Sequence, residues 1–276
     1  MRRERVSDDI YVFTSDLYAQ VTASAVATGE GIIVIDTLPF PEETRLMKEY
    51  LEGVGRGEIR YLINTHWHGD HTYGNYLFKD VQLVGHQRCA ESLLDLGARA
   101  LEESKETSPD LEEVELQVPD ITFDQGDMIL HLGGKSLQMV LTPGHTADST
   151  VVYVKEDKVL LAADTVMPLP YFVWGSREDF IVSLRRVLEF NMESIVQGHG
   201  EVLLRGEIRD AIQSSIRYLN VIHDKVKHVL ESGGGLEAVE RIGIESCGKS
   251  RIPLGGLVQR LHAANLDFLY TEMVSE

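Results

Sequence analysis

The chain has 276 residues, 44 Asp and Glu against 26 Lys and Arg, a formal charge of -18 and 43% hydrophobic residues. That apolar content argues against a disordered chain, and the acidic surface argues against nucleic acid and anionic membranes as partners, because it repels phosphate. The two cysteines, Cys89 and Cys247, form no C-x-x-C pair, so neither a disulfide scaffold nor a thiolate zinc site is expected, and a reducing cytoplasm fits best.

Met1-Arg2-Arg3-Glu4-Arg5 carries charge, but Ser7-Asp8-Asp9 stands where the apolar region of a signal peptide would begin, so none is expected. The longest apolar runs, residues 32–35 and 159–163, have the length of buried strands, far below the roughly 18 residues that span a bilayer. Residues 10–13, 19–27 and 32–35 read as an antiparallel opening with a turn at Gly29-Glu30-Gly31. Pro41 opens a helix whose Leu46, Met47, Tyr50 and Leu51 share one face, and residues 53–57 end it. Strands are expected at 59–63 and 81–84, then a helix at 90–101, then an acidic surface excursion at 102–120 with Pro109 and Pro119. A second block of strands covers 121–123, 128–132, 137–141, 150–154 and 159–162. Ser176 caps a helix running to about residue 190, residues 194–197 form a last strand, and the tail is helical with breaks at 233–235 and near Pro253.

One unit occurs twice. Ile35-Asp36-Thr37 ends a buried strand that leads through a helix to a strand delivering His66, and Ala163-Asp164-Thr165 does the same toward His199. Two such halves with helices outside predict an α/β fold, a four-layer αββα sandwich over residues 1–205, with residues 206–276 as a C-terminal helical extension packed on it.

The chemistry is carried by Thr65-His66-Trp67-His68-Gly69-Asp70-His71, an H-x-H-x-D-H pattern directly after a strand. Four metal-competent groups within six residues would repel one another or lie idle without a cation. His66 and His68, two apart, can reach one ion from an extended loop, while Asp70 and His71 point toward a second. Two metal shells need more donors, and His145, Asp164 and His199 each follow a strand. His86, His131, His223, His228 and His262 have no such company and read as surface or satisfied polar residues.

On these residues the chain resembles the metallo-β-lactamase fold superfamily over about residues 8–205. The resemblance implies that His66, His68 and His145 hold one metal, that Asp70, His71 and His199 hold the other, and that Asp164 bridges them. Asp36 would hydrogen-bond the motif loop from behind. Imidazole and carboxylate donors suit two Zn²⁺, and Fe or Mn accept the same set. Such a pair would acidify a bridging water toward a pKa of about 7, making hydrolysis the expected chemistry with Asp70 holding the water's proton.

Departures from known branches narrow the substrate. Cysteine-containing zinc β-lactamases carry a thiolate where this chain has Asp164 and a carboxylate-binding lysine where it has Met167. Trp67, Tyr171, Phe172 and Trp174 are expected to wall a pocket for a small ester, lactone, thioester or amide. The alternatives are a mononuclear-iron persulfide dioxygenase-like oxidoreductase and a phosphodiesterase. Partners reduce to a small-molecule substrate, with no nucleic acid, no membrane, and a homo-oligomer compatible with the sequence.

Overall fold

The computed structural model describes residues 1–275, so Glu276, the last residue of the expected helical tail, lies outside the described residues. Two mixed sheets pack face to face. The first has strand order β1 to β7: β1 (Arg2–Arg5), β2 (Ile10–Thr14), β3 (Thr22–Thr28), β4 (Gly31–Ile35), β5 (Ile59–Ile63), β6 (Gln82–His86) and β7 (Ile121–Phe123). Neighbours are antiparallel up to β4 and parallel from β4 to β7. The second runs β13-β12-β11-β10-β9-β8, with β8 (Met128–Leu132), β9 (Lys135–Leu141), β10 (Thr150–Val154), β11 (Val159–Ala163), β12 (Ser194–Gln197) and β13 (Leu203–Leu204).

The sandwich follows from side-chain alternation in strands buried on both faces. Ile10 and Val12 of β2 and Ile33 and Ile35 of β4 enter the core between the sheets, where they meet Leu137, Met139, Val152 and Leu161 of the second sheet. Tyr11, Phe13, Ile32 and Val34 point the other way, onto Met47 and Leu51 of helix α1 (Pro41–Gly53). The second sheet does the same: Leu160 and Ala162 face outward onto Phe180 and Leu184 of α5 (Arg177–Val187). The repeated unit is visible as two parallel crossovers, β4-α1-β5 and β11-α5-β12.

The short helix α2 (Gly69–Thr72) carries part of the His/Asp motif, and His86 Nδ1 accepts from Arg88 N–H at the start of α3 (Gln87–Ser92). A π-helical turn at Leu93–Gly97 then continues into α4 (Ala98–Thr107). The expected surface excursion at 102–120 is corrected in part: α4 extends to Thr107, and Leu111 and Val114 are buried against Tyr73, Tyr76 and Leu101. Glutamates on the outer face of this segment mask those inward residues in the composition. The strand expected from residue 19 starts at Thr22, because Ala19 and Gln20 have φ of 46° and 52° and form a turn. β1 was not anticipated. Its side chains are all charged, yet it pairs in register with β2 as a polar edge that discourages further pairing.

Helices α6 (Arg205–Glu231), α7 (Leu236–Val239) and α8 (Leu257–Ser275) complete the chain. Ile212, Tyr218, Leu219, Leu266 and Leu269 share one apolar cluster with the outer face of the second sheet, so the tail packs on that face. Among the described residues, no helix is long and apolar enough to cross a membrane.

Candidate metal centre

Seven side chains meet at one edge of the sandwich. His66, His68, His145 and Asp164 form one group of potential ligands and Asp70, His71 and His199 a second, with donor atoms within 4.8 Å of one another inside each. His66 and His68 lie in the loop after β5, Asp70 and His71 on α2, His145 after β9, Asp164 after β11 and His199 after β12. Five of the seven follow directly on strands and the other two open the helix α2 that comes next, so each is fixed more tightly than a free loop would hold it.

The hydrogen bonds behind the rings assign their tautomers. Asp36 accepts from Thr65 N–H at 2.8 Å, from the Thr65 hydroxyl at 2.6 Å and from His71 Nδ1 at 3.0 Å. Since the Thr65 proton goes to Asp36, Thr65 Oγ1 accepts from His66 Nδ1, 3.1 Å away. His145 Nδ1 donates to the Tyr171 carbonyl at 2.7 Å, and His199 Nδ1 to the Ala19 carbonyl at 3.0 Å. Four rings thus spend their Nδ1–H outward and turn an Nε2 lone pair inward.

Those lone pairs face other acceptors. His68 Nδ1 lies 3.2 Å from His66 Nε2 and 2.9 Å from His145 Nε2, and His145 Nε2 lies 3.3 Å from Asp164 Oδ2. His71 Nε2 and Asp164 Oδ1, 3.2 Å apart, are both buried without a hydrogen-bond partner. His199 Nε2 sits 3.4 Å from Asp70 Oδ2 and 3.5 Å from Asp164 Oδ2. A buried cluster of acceptors facing acceptors is costly unless a cation stands among them, so these residues fit divalent metal.

Without a cation, protons take part of that role. Burial opposes charge on His199, but Asp164 and Asp70 together push its pKa up to about 10. His71 is likewise held well above its ordinary value by Asp164 and Asp70 against burial. Burial and the neighbouring His145 drive His68 down to about 3, and burial with His71 and His68 drives His66 well down. Asp70 is drawn to about 2, because His71 and His199 outweigh its burial. Metal entering this site has to displace protons.

Local backbone explains the placement. Asp36 and Ala163, at the two repeated strand ends, have φ of 58° and 41°, a strained conformation that turns the chain sharply where the acid side chains must project. Gly198 and Gly144 flank His199 and His145 in the sequence, and each is required by what its missing side chain would strike. A Cβ on Gly198 would lie 1.9 Å from Asp164 Oδ1, and one on Gly144, whose φ is 146°, would strike Phe180 at 2.3 Å. The first glycine makes room for a carboxylate and the second for a helix.

The centre floors a cavity of about 460 Å³. Trp67, Tyr171 and Trp174 line it, as expected, with Trp67 and Trp174 edge to face at 5.6 Å. Phe172 does not. It is fully buried against Phe268 of α8, because alternation along the loop sends it opposite to Tyr171. Sequence reasoning missed Phe40, Tyr73, Ser104, Leu111, Leu257 and Leu261 as wall residues, and the inward positions of α4 and α8 were the available signal. Tyr18 also lines the cavity, and the charge of Asp70, then burial and Asp164, hold its phenol protonated well above the usual range.

Such a two-sheet sandwich with a buried His/Asp centre at its edge defines a metallo-hydrolase-like class. The sequence model of the metallo-beta-lactamase superfamily matches residues 18–213. The chain belongs to the metallo-β-lactamase superfamily. A beta-lactamase-like protein 2 homolog of Caenorhabditis elegans is 26% identical over 180 residues, 64% of this chain and 55% of that protein. A probable metallo-hydrolase of Methanocaldococcus jannaschii is 26% identical over 67% of this chain and 90% of its own. The chain spans about half the length of the first curated relatives it matches. Among solved structures, a metallo-beta-lactamase from Pontibacter korlensis shares the fold with a TM-score of 0.62 at 21% identity, covering 77% of this chain and 98% of that one. The sec-alkylsulfatase Pisa1 from Pseudomonas sp. shares it at 0.72 and 15%, covering 98% of this chain and 50% of that one.

Removing the support behind the centre gives a direct check. Asp36→Ala is expected to weaken Zn²⁺ affinity about 10- to 100-fold, since it frees His71 and, through Thr65, His66. Competition titration against a chromophoric chelator reads this, and unchanged affinity would refute the orienting role.

Proposed function

We propose that this chain is a dinuclear zinc hydrolase that cleaves an ester, lactone, thioester or amide bond in a small, uncharged and largely apolar substrate. The observation that carries the reading is the combination of seven inward donors with a cavity whose lining includes Tyr, Trp, Phe, Leu and Met side chains but no Lys or Arg. Bound divalent ions supply acidified water and polarisation of the attacked carbonyl.

The chain's own residues do the rest. Asp70, the most exposed of the acids at the centre, opens onto the cavity and holds the proton of the attacking water before passing it to the leaving group. Tyr18, on the cavity wall beside Asp70, offers its phenol O–H to a substrate oxygen. Trp67, Tyr171 and Trp174 pack the apolar portion and exclude water from the reacting bond.

Metal analysis with activity tests the proposal. Two zinc per chain, activity on esters or lactones abolished by chelator, and its return with Zn²⁺ or Mn²⁺ are the expected results. A single iron with sulfur-oxidising activity, or full activity after rigorous metal removal, would overturn it.

β-Lactams are expected to rank below lactones and thioesters. Their carboxylate would enter a cavity where Met167 stands in place of a lysine, leaving it unpaired at a cost of about 1–3 kcal/mol, or roughly a 5- to 160-fold loss of kcat/KM. Arg177 offers no rescue, since it pairs with Glu178 and Asn220 away from the cavity lining. A substrate panel headed by a penicillin or cephalosporin would overturn this specificity.

A further inference from the structure

Helix α8 reaches the loop behind His145 through one side chain. Asn265 is fully buried and grips that loop at two points: its Nδ2 donates to the Pro170 carbonyl at 2.8 Å, and its Oδ1 accepts from Phe172 N–H at 3.2 Å. Between these anchors stands Tyr171, whose carbonyl accepts the Nδ1–H of His145 at 2.7 Å. Pinning the polar groups on both sides leaves the Tyr171 carbonyl little freedom to turn away.

The orientation of the carboxamide is itself determined. His262 Nε2 donates to the Ile242 carbonyl at 2.8 Å, so its Nδ1 accepts from the Tyr218 hydroxyl at 2.8 Å. With its proton committed there, the Tyr218 oxygen is an acceptor on its other side, where Asn265 Nδ2 stands 3.3 Å away. The amide therefore presents NH₂ to Tyr218 and Pro170 and its oxygen to Phe172. A side chain that both donates and accepts within this span is required, and Asn provides it without an added charge.

We propose that Asn265 is a positioning residue of the metal centre. By fixing the Tyr171 carbonyl it holds His145 in the Nδ1–H tautomer and aims His145 Nε2 at the point shared with His68 and Asp164. The tail helix is thereby part of the apparatus that sets metal affinity, although none of its residues is a candidate ligand. The inference rests on reading His145 as a metal ligand.

The test measures Zn²⁺ affinity by chelator competition, and the visible spectrum of the Co²⁺-loaded protein, for the full chain and two variants. Asn265→Leu keeps most of the volume and removes both loop bonds. Phe268→Leu trims a ring that packs edge to face on Phe172 of the same loop, at a centroid distance of 5.8 Å, and makes none of its hydrogen bonds. Asn265→Leu is expected to lower Zn²⁺ affinity about tenfold and shift the Co²⁺ spectrum, while Phe268→Leu lowers thermal stability but keeps affinity within about twofold. Wild-type affinity in Asn265→Leu, or an equal loss in both variants, overturns the proposal. Should Asn265→Leu fail to fold, Asn265→Ala, which likewise removes both loop bonds, carries the same expectation and the same refutation. Absence of Zn²⁺ binding in the wild type would instead overturn the metal assignment itself and this inference with it.

Discussion

Asp70→Asn is expected to lower kcat on an ester or lactone by about 10²- to 10⁴-fold, the range in which a positioned acid or base contributes. The change keeps size and removes charge, so the cavity wall stays in place while the proton loses its acceptor. KM should move far less than kcat, since the group acts in the transition state more than on bound substrate. Because Asp70 also lies 3.4 Å from His199 Nε2 within the second donor group, metal content has to be matched before rates are compared. A kcat within tenfold of wild type at equal metal content would remove Asp70 from the proton-holding role.

Gly198→Ala should be nearly as severe, although glycine bears no functional group. Its added methyl would lie 1.9 Å from Asp164 Oδ1 and 2.5 Å from the Ala163 carbonyl carbon. With Asp164 N also only 2.7 Å away, two of the three nearest contacts are backbone, so the strand end itself must shift and take the Asp164 carboxylate with it. The variant is expected to lose metal from both donor groups and to match Asp164→Ala in activity, with a stability loss of about 1–3 kcal/mol from overpacking. Plasma emission for bound metal and a thermal melt give the two readings. Full metal content in Gly198→Ala would show that Asp164 can find another path to the centre.

The convergence of potential donors was legible because its chemistry is written in spacing: four donors within six residues after one strand, then single His or Asp residues after three others. The inter-sheet core was legible through alternation at residues 10–13 and 32–35. What escaped was whatever composition disguises. β1 is entirely charged and carries no apolar signal, and the wall built by α4 and Leu111 is buried under a run of glutamates. Phe172 and Trp174 looked alike in a loop of aromatics, and only the fold separates the one buried on α8 from the one half-open to the cavity. The grip of Asn265 on residues 170–172 links positions 93 and 95 apart in sequence, beyond the reach of any local pattern.

Each donor group draws on both sheets: His66 and His68 come from the first while His145 and Asp164 come from the second, and Asp70 and His71 face His199 across the same seam. A single ion in either group would therefore rivet the two halves of the sandwich together. Such an ion binds only where the sheets are already docked, so its affinity is also resistance to their separation. Stability then rises with the logarithm of free metal, by about 2.7 kcal/mol at a hundredfold excess over Kd. Metal scarcity would act on this protein twice, silencing the centre and loosening the joint that holds it.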